Sequence, residues 1–500
     1  MRRLGLFAAV LLVLAVVYAV AWRTQPETPR AAAQPAPQVA AVTSVTRSCP
    51  PSVPGTGAAH VALIALPSRA AAARGGATGA GVATLTAVPA TPGAATPGMA
   101  TAGKPAAPRP VTVSAPGALT TVTPPGVTGE SGSAGTAVAA TGQMAEGFEA
   151  EQANAAGTGV VSCTHPGSDM WFAGTGADDG ASSITLYLMN TGNLPASANV
   201  TILTDAGVQA GLNTGITIAP HQFVAQPITQ FVPGSAAVAL HVQTSSGQVA
   251  ASVWEDGGSG GAWLPQASAP ATSLVIPGLT VASSAARLFV TVPGASDAQL
   301  KVVAFTAQGK FPQFGSTPVD APAGATSSFA LSSLGASAAG LELTSNVPIV
   351  AAVQVPGEGI GSFTTSVPPV TEQGIVAGNP ATRGLTVGLV LTAPAGAARA
   401  TVTVIGAAGS GAQSAGAPQT VTVPAGHTVA VAVSRPQDSR QPFAIVITPA
   451  AGSGPLYAAR VVTTGTGGLS ARVAALLPVQ NAPTVITLPP VENAYTAVLP

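Results

Sequence analysis

Gly192, Gly294 and Gly396 stand 102 residues apart, and so do Pro220, Pro322 and Pro424. Each glycine closes a turn after an apolar run (184–189, 288–291 and 385–392), and each proline sits in a turn that follows a second run (200–204, 301–306 and 401–405). Glycine and proline fix turn geometry as other residues do not, so two such markers held in register describe one supersecondary unit copied three times. A third marker drifts by a few residues, as loop insertions allow: Val249-Ala250-Ala251, Val350-Ala351-Ala352 and Tyr457-Ala458-Ala459. Short Val-, Ile- and Thr-rich runs bounded by Gly and Pro read as strands.

About seven short strands in ~100 residues meet the needs of an immunoglobulin-like sandwich. The sequence therefore predicts an all-β chain with tandem immunoglobulin-like β-sandwich repeats at 166–268, 269–370 and 371–480. A β-propeller is the alternative, since each unit could split into two blades of ~50 residues. Only 7% of the chain is charged, against about a quarter in ordinary domains, so solvent-facing positions such as Thr201 fall to Thr, Ser and Gln. Acids and bases balance at 18 each and no basic cluster forms, which excludes nucleic acid as a partner.

Arg2 and Arg3 precede residues 4–22, which carry no charge. As a helix that run spans ~28 Å, near the ~30 Å hydrocarbon thickness of a bilayer. Residues 1–22 are expected to form a transmembrane signal anchor, with the arginines cytoplasmic and the rest extracytoplasmic. The alternative is a signal peptide cut after Ala21, in the small-x-small run Ala19-Val20-Ala21, which would release a secreted protein. Residues 23–43 read as a Pro/Ala-rich stalk. Residues 44–165 read as a β-rich domain with candidate strands at 61–66, 82–88 and 111–114. Its low-complexity run, 89–135, is expected to be a flexible insertion of a composition that suits O-glycosylation. Residues 481–500 form a C-terminal strand segment, with candidate strands at 484–488 and 495–499. Cys49 and Cys163 are an even pair in an exported chain, so a disulfide is expected.

Chemistry-bearing residues are sparse. The five histidines (His60, His165, His221, His241 and His427) lack metal-ligand spacing, and neither metal nor cofactor is expected. Gly257-Gly258-Ser259-Gly260-Gly261 matches the GxSxG elbow, but no helical pattern follows it. Asp178-Asp179 and Glu255-Asp256 lie beside glycines and read as loop acids, too few for a Ca²⁺ loop. Trp171, Trp254 and Trp263, with Tyr187, are the candidate ligand contacts, able either to stack on sugar rings or to fill the core. No residue is assigned a catalytic role, and the protein is not expected to be an enzyme.

The run Cys163-Thr164-His165-Pro166-Gly167-Ser168-Asp169-Met170-Trp171-Phe172-Ala173-Gly174, with a following Leu-rich strand and Asn190, resembles a known family. So do Ser48-Cys49-Pro50, Trp263-Leu264-Pro265, Leu274-Val275-Ile276-Pro277-Gly278 and Thr484-Val485-Ile486-Thr487-Leu488-Pro489. The family comprises membrane-anchored extracytoplasmic proteins of actinobacteria, classed as a domain of unknown function. The resemblance implies an envelope location and gene neighbours that are membrane glycosyltransferases, and it supplies no catalytic residues. The long Ala/Thr/Pro run and the scarcity of charge depart from the family pattern. The expected function is a cell-envelope scaffold or glycan-contacting protein, partnered by the membrane and by cell-wall glycan or an envelope glycosyltransferase. The alternative is an accessory factor of envelope glycan synthesis, or a glycan-processing enzyme built on Glu255 and Asp256.

Overall fold

Strand pairing in the computed structural model falls into four groups, spanning residues 44–162, 169–264, 271–365 and 374–481. The structure describes residues 2–23, 38–53, 59–67, 79, 81–91, 110–124, 134–154, 156–210, 212, 215–280, 285–315, 317–332, 334, 338–407, 417–436, 441–465, 467–468 and 471–488. At residues 2–11, 21 and 38 only the backbone is described. The chain divides into two units, Met1–Ala40 with Thr487–Pro500, and Ala41–Ile486.

The first unit carries an α-helix, Arg2–Arg23, with Leu12, Val16, Tyr18 and Trp22 exposed. Among the described residues no helix is long and apolar enough to cross a membrane. The anchor expected at 1–22 rests partly on side chains outside the described residues. Most of the stalk, the whole of 92–109 and 125–133, and the candidate strand 495–499 also lie outside them. Val485–Leu488 pairs with Gln38–Ala41 in a two-stranded sheet.

In the second unit all four groups share one strand order. In the first group, Ser44–Cys49, Ala134–Thr141, Ala83–Pro89 and Val111–Val113 form one antiparallel sheet, and Thr120–Val122, Ala59–Ala65, Phe148–Asn154 and Val160–Ser162 form the other. Numbered along the group, these orders are 1-6-3-4 and 5-2-7-8. The next three groups repeat both, and the third runs its sixth and seventh strands together as Ala339–Val355. Each pair of sheets encloses an apolar core. The unit is thus present four times, where the sequence markers show three. The run 89–135, expected to be an insertion, supplies two regular strands, Val111–Val113 and Thr120–Val122, which pair with Ala83–Pro89 and Ala59–Ala65.

Turn chemistry explains why the copies fold alike. Thr204 and Gly207 close the hairpin between the third and fourth strands of the second group. The Thr204 hydroxyl accepts the Ala206 N–H (3.2 Å) and donates to the Gly207 carbonyl (3.1 Å), while Gly207 takes a φ of 101°. Thr306, Gln308 and Gly309 repeat this 102 residues on, with Gly309 at φ 118°. A positive φ is costly for any residue with a Cβ, which fixes Gly at the turn.

The order departs from the immunoglobulin one, in which the first, second, fifth and fourth strands share a sheet. Here the first strand crosses to pair with the sixth, and the second strand lies between the fifth and seventh. The seventh strand therefore takes the place beside the second that the first would fill. No sheet is made of consecutive strands.

Sheets also stack between groups. Val88 and Ala137, on the 1-6-3-4 sheet of the first group, lie against Tyr187, Met189, Phe223 and Trp254 on the 5-2-7-8 sheet of the second. Phe289, Val350 and Phe363 of the third group join the core of the second. Val390, Val461 and Leu476 of the fourth join the core of the third. Ala62 and Ile64 of the first pack on Ile375, Ala377 and Val446 of the fourth, which closes the circuit. Every group thus offers one sheet to the group before it and one to the group after.

This closure accounts for the composition. With neighbours on both sides, a sheet has no wet face, and a charge placed on either would lose its hydration. Gly374–Asn379 and Ser362–Thr365 are buried along their whole length. In the first three groups the fourth strands, Val111–Val113, Gly207–Gln209 and Gly309–Pro312, hold no buried residue. Alternation of apolar and polar residues survives only partway, as in Ala196–Thr204, where Val200 and Ile202 are buried and Thr201 is half-buried.

Candidate functional site

Residues of first, seventh and eighth strands, with the segments that follow the eighth, surround a cavity of about 340 Å³. Its wall draws on all four groups: Arg47 and Glu149 from the first, Ser252 and Trp263 from the second, Ser366 from the third and Leu477 from the fourth. Cys49 ends the first strand of its group and Cys163 follows the eighth. Their disulfide ties the two sheets together beside this cavity. The pairing is the one expected from the sequence, and the described residues contain no free cysteine.

Arg47 is the wall's only deeply buried cation. Its Nη2 donates to Glu149 Oε2 at 2.9 Å and to the Phe148 carbonyl at 3.3 Å, and both side chains are almost wholly buried. Burial pushes the Glu149 carboxyl up to about 8, while the Arg47 guanidinium pulls it down. Among the described residues, Arg47 Nε, Glu149 Oε1, Ser162 Oγ and Ser252 Oγ have no hydrogen-bond partner. An unpaired buried polar atom costs about 1–3 kcal/mol, so four around one cavity call for explanation. Ser268 Oγ and Ser366 Oγ bond each other at 2.7 Å across the joint between the second and third groups. Asp169, half exposed at the mouth, accepts from Gln243 (3.4 Å) and lies 3.2 Å from His241 Nε2.

The three tryptophans separate. Trp171 is 4% exposed; its ring stacks on His241 at 3.8 Å and its carbonyl accepts the Ala267 N–H. Trp254 is 6% exposed and packs edge-on against Trp263 at 5.1 Å, in the joint between the first and second groups. Neither offers a face for stacking on a sugar. Trp263, half-buried and 5.7 Å from Tyr187, is the one that reaches the cavity.

The loop acids also separate. Glu255 is no loop residue: the strand Ala250–Asp256 continues through it and buries it completely. Its Oε2 accepts the Thr175 hydroxyl at 2.5 Å, and burial pushes its carboxyl up to about 8. Asp256 ends the strand and accepts the Gly258 N–H at 2.9 Å. Residues 257–260 are the turn between two strands and Gly261 opens the second, with the Gly260 carbonyl accepting the N–H groups of Gly257 and Ile360, so the GxSxG match has strand on both sides. Asp179 pairs with Arg287. His221 takes a φ of 54° in the proline turn and lies 2.9 Å from Asn193 Oδ1. Among the described residues no group of three or more His, Cys, Asp or Glu could hold a metal ion.

The deeply buried polar residues of the cavity, Arg47, Glu149 and Ser252, escaped the sequence reading. The available signal was charge inside an apolar strand pattern: Glu149 and Glu151 alternate with Phe148 and Ala150, and Arg47 stands two residues before Cys49.

A family model described as a family of unknown function (DUF5719) matches residues 123–434. No curated protein matches the sequence. Among solved structures, the Streptomyces avermitilis α-L-rhamnosidase in complex with L-rhamnose aligns with 11% identity and a TM-score of 0.13, over 85% of this chain and 55% of that one. The chain thus spans about half the length of that enzyme, and at this TM-score the likeness says nothing of fold or activity.

Proposed function

The chain belongs to DUF5719, a family of unknown function, and on that premise we propose that it is a membrane-tethered, extracytoplasmic structural protein of the cell envelope. The folded part is a ring of four two-layer sandwiches. Counted by sheets it has eight around the circuit. The observation that carries the reading is the closed circuit of sheet contacts. A ring whose sheets are all covered is a rigid platform with a rim free to meet partners, and it has no hinge between modules. The disulfide Cys49–Cys163 supports an oxidising compartment, since such bonds persist outside the reducing cytoplasm. Arg2, Arg3 and the uncharged run behind them support tethering with the ring outside.

The test is fractionation of cells that make the tagged full chain, with thiol alkylation before lysis and capture of bound proteins and glycans. The expected result is a membrane-bound chain with both cysteines protected until reduction, and a reproducible partner. Recovery in the cytosolic fraction with both thiols alkylated would overturn the proposal.

A further inference from the structure

We propose that the central cavity is a binding site for one neutral, hydroxyl-rich ring the size of a single monosaccharide, held by Arg47, Glu149, Ser252 and Trp263. The inference rests on the closed ring, because all four modules build the wall, and does not depend on the membrane tether.

Size comes first. About 340 Å³ lies at the lower end of the ~300–1,000 Å³ typical of ligand pockets, enough for one small ring and too little for an extended chain. Charge comes second. Arg47 and Glu149 are salt-bridged to each other, and Asp169 at the mouth is engaged by His241 and Gln243. An ionic ligand would have to break the buried Arg47–Glu149 contact to gain its own.

Hydrogen-bond chemistry comes third. The unpartnered atoms are of mixed kind: Arg47 Nε can only donate, Glu149 Oε1 accepts when ionised and donates when protonated, and Ser252 Oγ does either. Glu149 and Ser252 are 1% and 2% exposed, so bulk water does not serve them. A carboxylate or sulfate anion would satisfy only the donors, and an ammonium only the acceptors. Hydroxyl groups on adjacent carbons satisfy both, each accepting from one neighbour and donating to the next. Ser268 and Ser366 extend the same wall with hydroxyls. Trp263 adds an aromatic surface, edge-supported by Trp254, and sugar C–H faces pack on such surfaces.

The test uses the full chain purified in detergent, titrated calorimetrically with D-glucose, D-galactose, D-mannose and L-arabinose, and in parallel with sodium acetate, sodium sulfate and methylammonium chloride. The expected result is saturable binding of at least one neutral sugar at one site per chain, with no binding of the three ions. Ser252→Ala removes only an unpaired hydroxyl and should fold normally while weakening that sugar about fivefold. Trp263→Phe should weaken it about tenfold with the disulfide intact. Failure of all four sugars to bind would overturn the proposal. So would binding of an ion in their place, or wild-type affinity in the Ser252→Ala protein. None of these outcomes touches the fractionation result, so the scaffold reading and the binding site fail separately.

Discussion

Replacing Glu255 by Gln should flatten the pH dependence of stability. Glu255 is fully buried, and its contacts among the described residues are the Thr175 hydroxyl and N–H on one oxygen, while the other oxygen has no partner there. Gly174 makes the room, since a Cβ there would meet the carboxyl. Burial raises the carboxyl from 4.5 to about 8. The folded protein thus keeps a proton that the unfolded chain releases near pH 4.5. The sign follows from linkage: the stabilisation is fully present below pH 4.5 and is lost as pH rises through about 8. A raise of roughly 3.5 units at ~1.4 kcal/mol each amounts to about 5 kcal/mol lost across that window. Glutamine keeps the shape and cannot ionise. Its amide costs something at every pH, so the slope, rather than the absolute stability, is the readout. Urea unfolding followed by tryptophan fluorescence at pH 5, 6, 7 and 8 should show the Glu255→Gln protein gaining on wild type by ~1.4 kcal/mol per pH unit. Parallel curves for the two proteins would refute the reasoning, because Glu255 would then ionise in the folded state as it does in the unfolded one.

Loss of the disulfide in a Cys49→Ser, Cys163→Ser double variant should cost about 5 kcal/mol in the loop-entropy account for a 114-residue separation, read as a fall in thermal midpoint that reductant does not deepen. Glu151 accepts the N–H groups of Ala377 and Gly378 at 2.8 and 2.9 Å and faces Arg460 across the joint between the first and fourth modules. Glu151→Ala leaves these groups unpaired and should cost about 3–5 kcal/mol, with faster proteolysis at that joint. Gly309→Ala places a Cβ at φ 118° and should cost about 1 kcal/mol, whereas Gly294→Ala, with nothing within 4 Å of the new atom, should be neutral in the same melt.

The all-β class and the disulfide were legible because they depend on local or compositional signals: turn residues at fixed offsets, and an even cysteine count. The three-fold register of Gly192, Gly294 and Gly396 is a turn signal of that kind. The first module escaped it because 17 residues, 66–82, separate its second and third strands, where five, 191–195, suffice in the next copy. Tertiary effects explain the rest. Trp171 and Trp254 read equally well as surface or core until the neighbouring module covers them. Glu255 looked like a loop acid because glycines follow it, yet the Ala250–Asp256 strand carries it into the interior. Arg47 and Glu149 are 102 residues apart and meet only when the first and seventh strands of their module come together.

The Val42 N–H donates to the Thr484 carbonyl at 3.0 Å, so the chain enters and leaves the ring at one seam. Three of the four joints between modules are bridged by peptide, and the fourth is held by packing and polar contacts alone. Module order around the circle is therefore independent of where translation starts. A gene opened at the 268–271 joint, with residues 42 and 484 spliced, encodes the same circle.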